Sequence, residues 1–176
     1  MNKEETKNNI VLIGMPASGK STVGVVLAKI LGMDFVDTDL LIQKRAGKKL
    51  DEIIEERWLD AFLDYEEETC FDINVDNAVI ATGGSVVYRP AVMEHFRRIG
   101  TVIYLAVDYE ELMKRLVDVK QRGVVLRPDQ TVQDLFNERQ PLYEKYADIK
   151  VQESPGGIEE TVAKVIGALQ AEGFAK

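Results

Sequence analysis

Short apolar blocks alternate along the chain with longer stretches in which apolar side chains recur every three or four positions. Ile10-Val-Leu-Ile13, Ala78-Val-Ile-Ala81 and Thr101-Val-Ile-Tyr-Leu-Ala106 are nearly continuous blocks, the pattern of parallel strands covered on both faces. Phe35-Val-Asp37-Thr38-Asp39 and Ile149-Lys-Val151 read as shorter strands, the former ending in two carboxylates. Between them, Val23, Val26, Leu27, Ile30 and Leu31 place a helix over 20–31 that Gly32 stops. Helices are also predicted over 40–46, as one or two segments within 50–74, from Pro90 to near Gly100, over 109–116, from a Thr131 cap through Leu135, Phe136, Arg139 and Tyr143, and over 158–169. Glu66-Glu67-Glu68 reads as a solvated helix face. From Val117 to Gln130 the periodicity fails, and Arg122-Gly123 and Arg127-Pro128 punctuate what reads as a lid. About five strand–helix alternations predict an α/β fold: a three-layer α/β/α sandwich around a five-stranded parallel sheet. One domain is expected over 1–176, with a core at 9–151, a lid at about 117–130 and a closing helix at 158–172.

Composition narrows the classes. A chain of 176 residues buries a sufficient core without disulfide or metal. Thirty acidic against 22 basic residues give a net charge of −8, which argues against a general nucleic-acid or membrane-surface binder and leaves any anionic ligand to a local positive site. Cys70 is the sole cysteine, so no internal disulfide is possible and a buried, inert thiol is expected. The polar N-terminus and the lack of a long apolar run point to a cytoplasmic protein. His95 reads as a surface residue, Trp58 with Phe62 and Tyr65 as core, and Lys44-Arg45-Lys48-Lys49 as a solvated face.

The candidate chemistry begins at the end of the first strand. Gly14-Met-Pro-Ala-Ser18-Gly19-Lys20-Ser21-Thr22 matches the phosphate-binding pattern Gly-x4-Gly-Lys-Ser/Thr, in the strand–turn–helix setting that the pattern requires. Its glycines let backbone N–H groups curl inward at a helix start, Lys20 reaches outer phosphates, and the Ser21 hydroxyl suits a magnesium ion. Such a loop implies nucleotide binding but no particular reaction. Asp37 and Asp39 are placed to divide two tasks, one toward hydrated magnesium and one toward a hydroxyl nucleophile, as phosphoryl transfer asks. Taken alone, the same pair is also a helix-capping device.

The loop, the Asp37-Thr38-Asp39 segment, the Val-Ile-Ala-Thr-Gly83-Gly84 turn, the arginine-bearing lid and Glu138-Arg139-Gln-Pro141-Leu142-Tyr143 follow one another in the order found in shikimate kinases. The chain resembles that family over roughly 10–151, and weakly into the last helix. The resemblance implies a P-loop fold of the nucleoside-monophosphate-kinase type, ATP and Mg2+ as cofactors, and phosphorylation of shikimate in aromatic amino acid biosynthesis. It implies nucleotide contacts from Gly14, Ser18, Gly19, Lys20, Ser21 and Thr22, with Lys20 on the β- and γ-phosphates. Ser21 would bind the metal directly and Asp37 through water. Asp39 would hold acceptor hydroxyls and act as base, Gly83 and Gly84 would offer backbone contacts, and Arg139 would grip a carboxylate. Arg122, with Arg127 second, corresponds to the lid arginine, and Arg115 and Pro155 resemble residues that bracket adenine.

Two positions depart from the family's pattern. Where it reads Gly-Glu-x-x-Phe-Arg-x-x-Glu, this chain has Trp58-Leu-Asp-Ala-Phe62-Leu63-Asp-Tyr-Glu66, so Phe62 and Glu66 match while Leu63 stands at the acceptor-binding arginine. Ser85 stands at a frequent third glycine, where its side chain narrows the acceptor site. Leucine supplies neither charge nor donor. Three readings therefore stand: a shikimate kinase, a kinase of another small hydroxylated metabolite, and a nucleotide-binding regulator without catalysis. A monomer acting on a small molecule is expected.

Overall fold

A computed structural model describes residues 8–56, 59–116, 124 and 126–174. In chain order it contains β1 (Asn9–Ile13), α1 (Lys20–Leu31), β2 (Asp34–Asp37), α2 (Thr38–Ala46), α3 (Leu50–Glu56), α4 (Leu59–Phe71), β3 (Ala78–Ala81), α5 (Pro90–Ile99), β4 (Gly100–Ala106), α6 (Tyr109–Arg115), α7 (Val132–Tyr146), β5 (Ile149–Gln152) and α8 (Ile158–Ala171). A 3₁₀ turn at Val86–Tyr88, which the periodicity does not foretell, precedes α5.

All four strand pairings are parallel, and the order across the sheet is β2-β3-β1-β4-β5. Alternate residues of each strand feed opposite faces. Ile10, Leu12, Val79, Ile103 and Leu105 pack with Val23 and Leu27 of α1 and Val162 and Val165 of α8. Val11, Ile13, Ile80, Val102 and Tyr104 pack on the other side with Val92, Met93 and Phe96 of α5 and Leu135 and Tyr143 of α7. The result is the expected three-layer sandwich.

A smaller apolar cluster of Ile42, Ile53, Phe62 and Leu63 joins α2, α3 and α4. It holds α4 in place beside the turn that follows β3. Caps set several boundaries. Gly32 ends α1 in the left-handed region, donating to the Ala28 carbonyl, and Thr131 opens α7 through a reciprocal capping box with Asp134. No helix among the described residues is long and apolar enough to cross a membrane.

Candidate active site at the carboxyl ends of the strands

The loop between β1 and α1 is shaped by three left-handed residues, Gly14, Ala17 and Gly19. A side chain at Gly14 would stand 2.7 Å from the Leu105 carbonyl oxygen, so the loop lies close against β4 only because that side chain is absent. Alternating backbone hand turns successive N–H groups to one side, the geometry of an anion nest. Lys20 leaves α1 at its first residue and folds back over the loop, donating to the Gly14 and Met15 carbonyls at 2.9 and 2.7 Å and to Ser18 Oγ at 3.3 Å. Ser18 is buried beneath it. Among the described residues no carboxylate reaches ion-pair distance of this buried ammonium. Burial pushes the Lys20 pKa down to about 8, with Asp39 opposing and Arg139 adding to the shift.

Asp37 caps the helix that follows it and also reaches across to α1. Its Oδ1 caps α2, accepting from the amides of Asp39 and Leu40, while its Oδ2 accepts from the Ser21 hydroxyl at 2.7 Å. The strand ends at Asp37, so Asp39 lies in the first turn of α2 and not at a strand end. The capping side chain at Asp37 starts the helix earlier than hydrophobicity suggests. Asp39 is half-buried in the cleft, and burial, aided by the neighbouring Asp37 charge, raises its pKa to about 6 against the pull of Lys20.

Gly19, Lys20, Ser21 and Thr22 face Asp39, Glu66, Gly83, Gly84, Ser85 and Arg139 across one cleft of about 220 Å³. The far wall is made of side chains. Arg139 is 2% exposed, its Nε donates to the Tyr88 hydroxyl at 3.2 Å, and its guanidinium stacks 5.0 Å over the Tyr88 ring. Tyr88 in turn donates to Glu138 Oε1. No carboxylate among the described residues ion-pairs with Arg139. The glycine turn packs tightly here: a side chain at Gly84 would strike Pro16 of the loop at 2.7 Å and lie 3.0 Å from Arg139 Nη1. The Tyr143 hydroxyl donates to the Gly84 carbonyl at 2.6 Å.

Several sequence expectations are corrected at this wall. The Gly83 amide already donates to Thr38 Oγ1 at 3.0 Å, so Gly83 contributes the space left by its missing side chain more than a free N–H. Leu63 does not line the cleft. It is buried among Ile42, Ile53 and Phe62, because the helical face that holds Phe62 beside the cleft turns the next residue toward α2 and α3. Glu66 is no solvated residue: it is 1% exposed, lines the cleft and accepts from Ser85 Oγ at 2.7 Å. Its spacing of four from Phe62 on one helical face was the signal that the acidic run concealed. His95 is half-buried between the rings of Phe71 and Phe96.

Arg115 and Pro155, distant in sequence, meet at a second hollow of about 280 Å³ beside the start of α8. Arg115 is held there by Glu111 and Glu153 at 3.1 and 2.7 Å. Gly19 connects the two regions, since a side chain on it would lie 3.9 Å from Ile158 Cδ1. Arg127 is half-exposed and pairs with Glu138 at 3.3 Å. Arg122, Trp58 and most of the expected lid lie outside the described residues.

A phosphate loop opening α1, carboxylates at the start of α2 and a buried arginine across one cleft define a P-loop kinase-like α/β protein. A family model described as shikimate kinase matches residues 16–170. A shikimate kinase from Clostridium botulinum (strain Eklund 17B / Type B) is 37% identical over 160 residues, spanning 90% of this chain and 95% of its own. Among solved structures, shikimate kinase from Aquifex aeolicus superposes with a TM-score of 0.81 at 34% identity, covering 96% of this chain and 99% of that one. Shikimate kinase from Acinetobacter baumannii in complex with shikimate gives 0.87 at 29% identity, covering 97% of each. The chain belongs to the shikimate kinase family.

Proposed function

We propose that the protein transfers the γ-phosphoryl group of ATP to a hydroxyl of shikimate, giving shikimate 3-phosphate. One observation carries this reading: a buried Arg139, with no carboxylate partner among the described residues, shares a cleft with the Lys20 loop, and the Asp39 carboxyl lies in the same cleft. Arg139 would grip the acid's carboxylate through its planar fork. Asp39 would hold the reacting hydroxyl and accept its proton. A pKa near 6 leaves it ionised at neutral pH yet more basic than an exposed aspartate. Lys20 and the loop amides would hold the β- and γ-phosphates, and a buried ammonium without a carboxylate partner among the described residues suits that charge. Arg115 and Pro155 would bracket the base at the second hollow.

The residues also fit magnesium. Ser21 Oγ and Asp37 Oδ2 place two hard oxygen donors together at the head of α1, and no group of three or more His, Cys, Asp or Glu among the described residues forms a metal cage. An ion held there with phosphate oxygens would neutralise charge on the transferring group. The role falls to Ser21 directly and to Asp37 through water. Arg127 is the described candidate for an arginine that meets the phosphates, which would require it to leave Glu138, and the protein would act as a cytoplasmic monomer.

Leu63 favours a second reading, in which a different small hydroxylated acid is the acceptor, because Arg139 is the only guanidinium lining the cleft among the described residues. ADP release in the presence of shikimate, compared with a panel of hydroxylated metabolites, separates the two. Shikimate-dependent release supports the first, release with another acceptor alone supports the second, and nucleotide binding with no release from any acceptor overturns both.

A further inference from the structure

Of the cleft-lining side chains, Glu66 is the one with a buried polar atom that has no partner among the described residues. Its Oε2 is held by Ser85, whereas Oε1 meets no donor or acceptor among the described residues. That free oxygen is aimed at the acceptor region, since a side chain on Gly83 would collide with it and would lie 3.1 Å from Asp39 Oδ1. A buried polar atom left without a hydrogen bond has given up its water and received nothing in exchange. A ligand that pairs with it regains that loss.

The surroundings fix which hydrogen bond Oε1 makes. Asp39 faces Glu66 from α2, Arg139 from α7, Arg89 from the turn before α5, Lys20 from α1, and Cys70 lies one turn along α4 itself. Arg89 is drawn away by Asp64 and Glu67, with which it ion-pairs. No cation among the described residues pairs with Glu66. Burial pushes its carboxyl up to about 7, Asp39 adds to the rise, and Ser85 and the two guanidiniums oppose it. An acid so placed keeps its proton to near neutrality, and a protonated carboxyl is a donor. A carboxylate gripped by Arg139 brings two oxygens and has lone pairs to spare, while Leu63 is turned away into the apolar cluster.

We infer that Glu66, anchored by Ser85, is a specificity-determining residue whose Oε1 donates a hydrogen bond to the acceptor carboxylate held by Arg139. The inference rests on the proposed acceptor class. It makes the cleft prefer a hydroxy acid over its neutral carboxamide, and makes that preference fade as Glu66 ionises and repels the ligand.

Calorimetric binding of shikimate tests this without turnover. Between pH 6 and pH 8 the affinity of the unaltered protein is expected to fall about tenfold, the consequence of a group ionising near neutrality. Glu66→Gln, which keeps a donor and cannot ionise, is expected to bind at pH 6 within about threefold of the unaltered protein and to lose the slope. Ser85→Ala removes a bond that favours the ionised form, so the fall should move to higher pH. Identical slopes in the unaltered and Glu66→Gln proteins, affinity that rises with pH, or no binding at pH 6 would each overturn the assignment. Phosphorylation of shikimate with a flat binding profile sinks this assignment alone, whereas the expected profile without phosphorylation sinks the kinase reading alone.

Discussion

The two walls of the cleft are built differently. The loop wall is contiguous, from Gly14 to Thr22, and works mainly through backbone: left-handed residues set its shape, and even Lys20 is held by the loop's own carbonyls. The facing wall is assembled from α4, the turn after β3 and α7, and works through the buried side chains of Glu66, Ser85 and Arg139. Backbone groups present the same donors whatever side chains follow, so the loop wall suits a ligand part that never changes. Buried charged groups depend on each partner, so one replacement on the facing wall alters which acceptor fits while the phosphate chemistry stands. Leu63 and Ser85 both fall on elements of that second wall.

The sharpest break in the comparison comes from the acid that stands between the walls. Asp39→Asn keeps size but removes the proton acceptor, so kcat for shikimate phosphorylation should fall about 10³-fold, within the usual range for a lost general base. ATP affinity, which belongs to the loop wall, should change little. Single-turnover measurement beside nucleotide titration reads both quantities. Turnover of the variant within tenfold of the unaltered protein would remove Asp39 from proton transfer.

Arg139→Lys is the next largest. Lysine keeps the charge but not the planar fork that meets two carboxylate oxygens while Nε holds Tyr88. Losing one charge-assisted hydrogen bond costs about 1.5–3 kcal/mol, or roughly one to two decades in shikimate affinity. Nucleotide affinity should be unmoved. Equal losses for both ligands would show that the walls are energetically one unit.

The same contrast explains what was legible in the sequence. Strand blocks and helical spacing locate the sheet and most helices because burial on both faces leaves an unbroken apolar signature, as at Ile10–Ile13. The phosphate loop is legible because its determinants are local. The hydrophobic pattern puts Asp39 at a strand end because it does not register a cap, whereas the Asp37 side chain starts α2 at Thr38. An acidic run predicts a solvated Glu66, since a charge run carries no record of which member faces a remote serine and arginine. Leu63 took on the role of the residue it replaces, yet an apolar side chain is free to leave the ligand for the nearest core, and it does. Alignment with the family pattern marks positions, while packing decides orientation.

The finest test concerns how the far wall holds its cation. The Tyr88 hydroxyl accepts from Arg139 Nε and donates to Glu138, so it links the guanidinium to a carboxylate outside the cleft while the ring supports it from beneath. Tyr88→Phe removes the link and keeps the stacking surface. A hydrogen bond of this kind contributes about 1 kcal/mol, so the KM for shikimate should rise about fivefold with kcat held within about twofold. A merely structural role would instead lower unfolding temperature and leave KM alone. An unchanged KM would assign the orientation of Arg139 to the stack and to neighbouring Tyr143, and a side-chain wall would then owe its geometry to packing as fully as the loop wall owes its own to backbone.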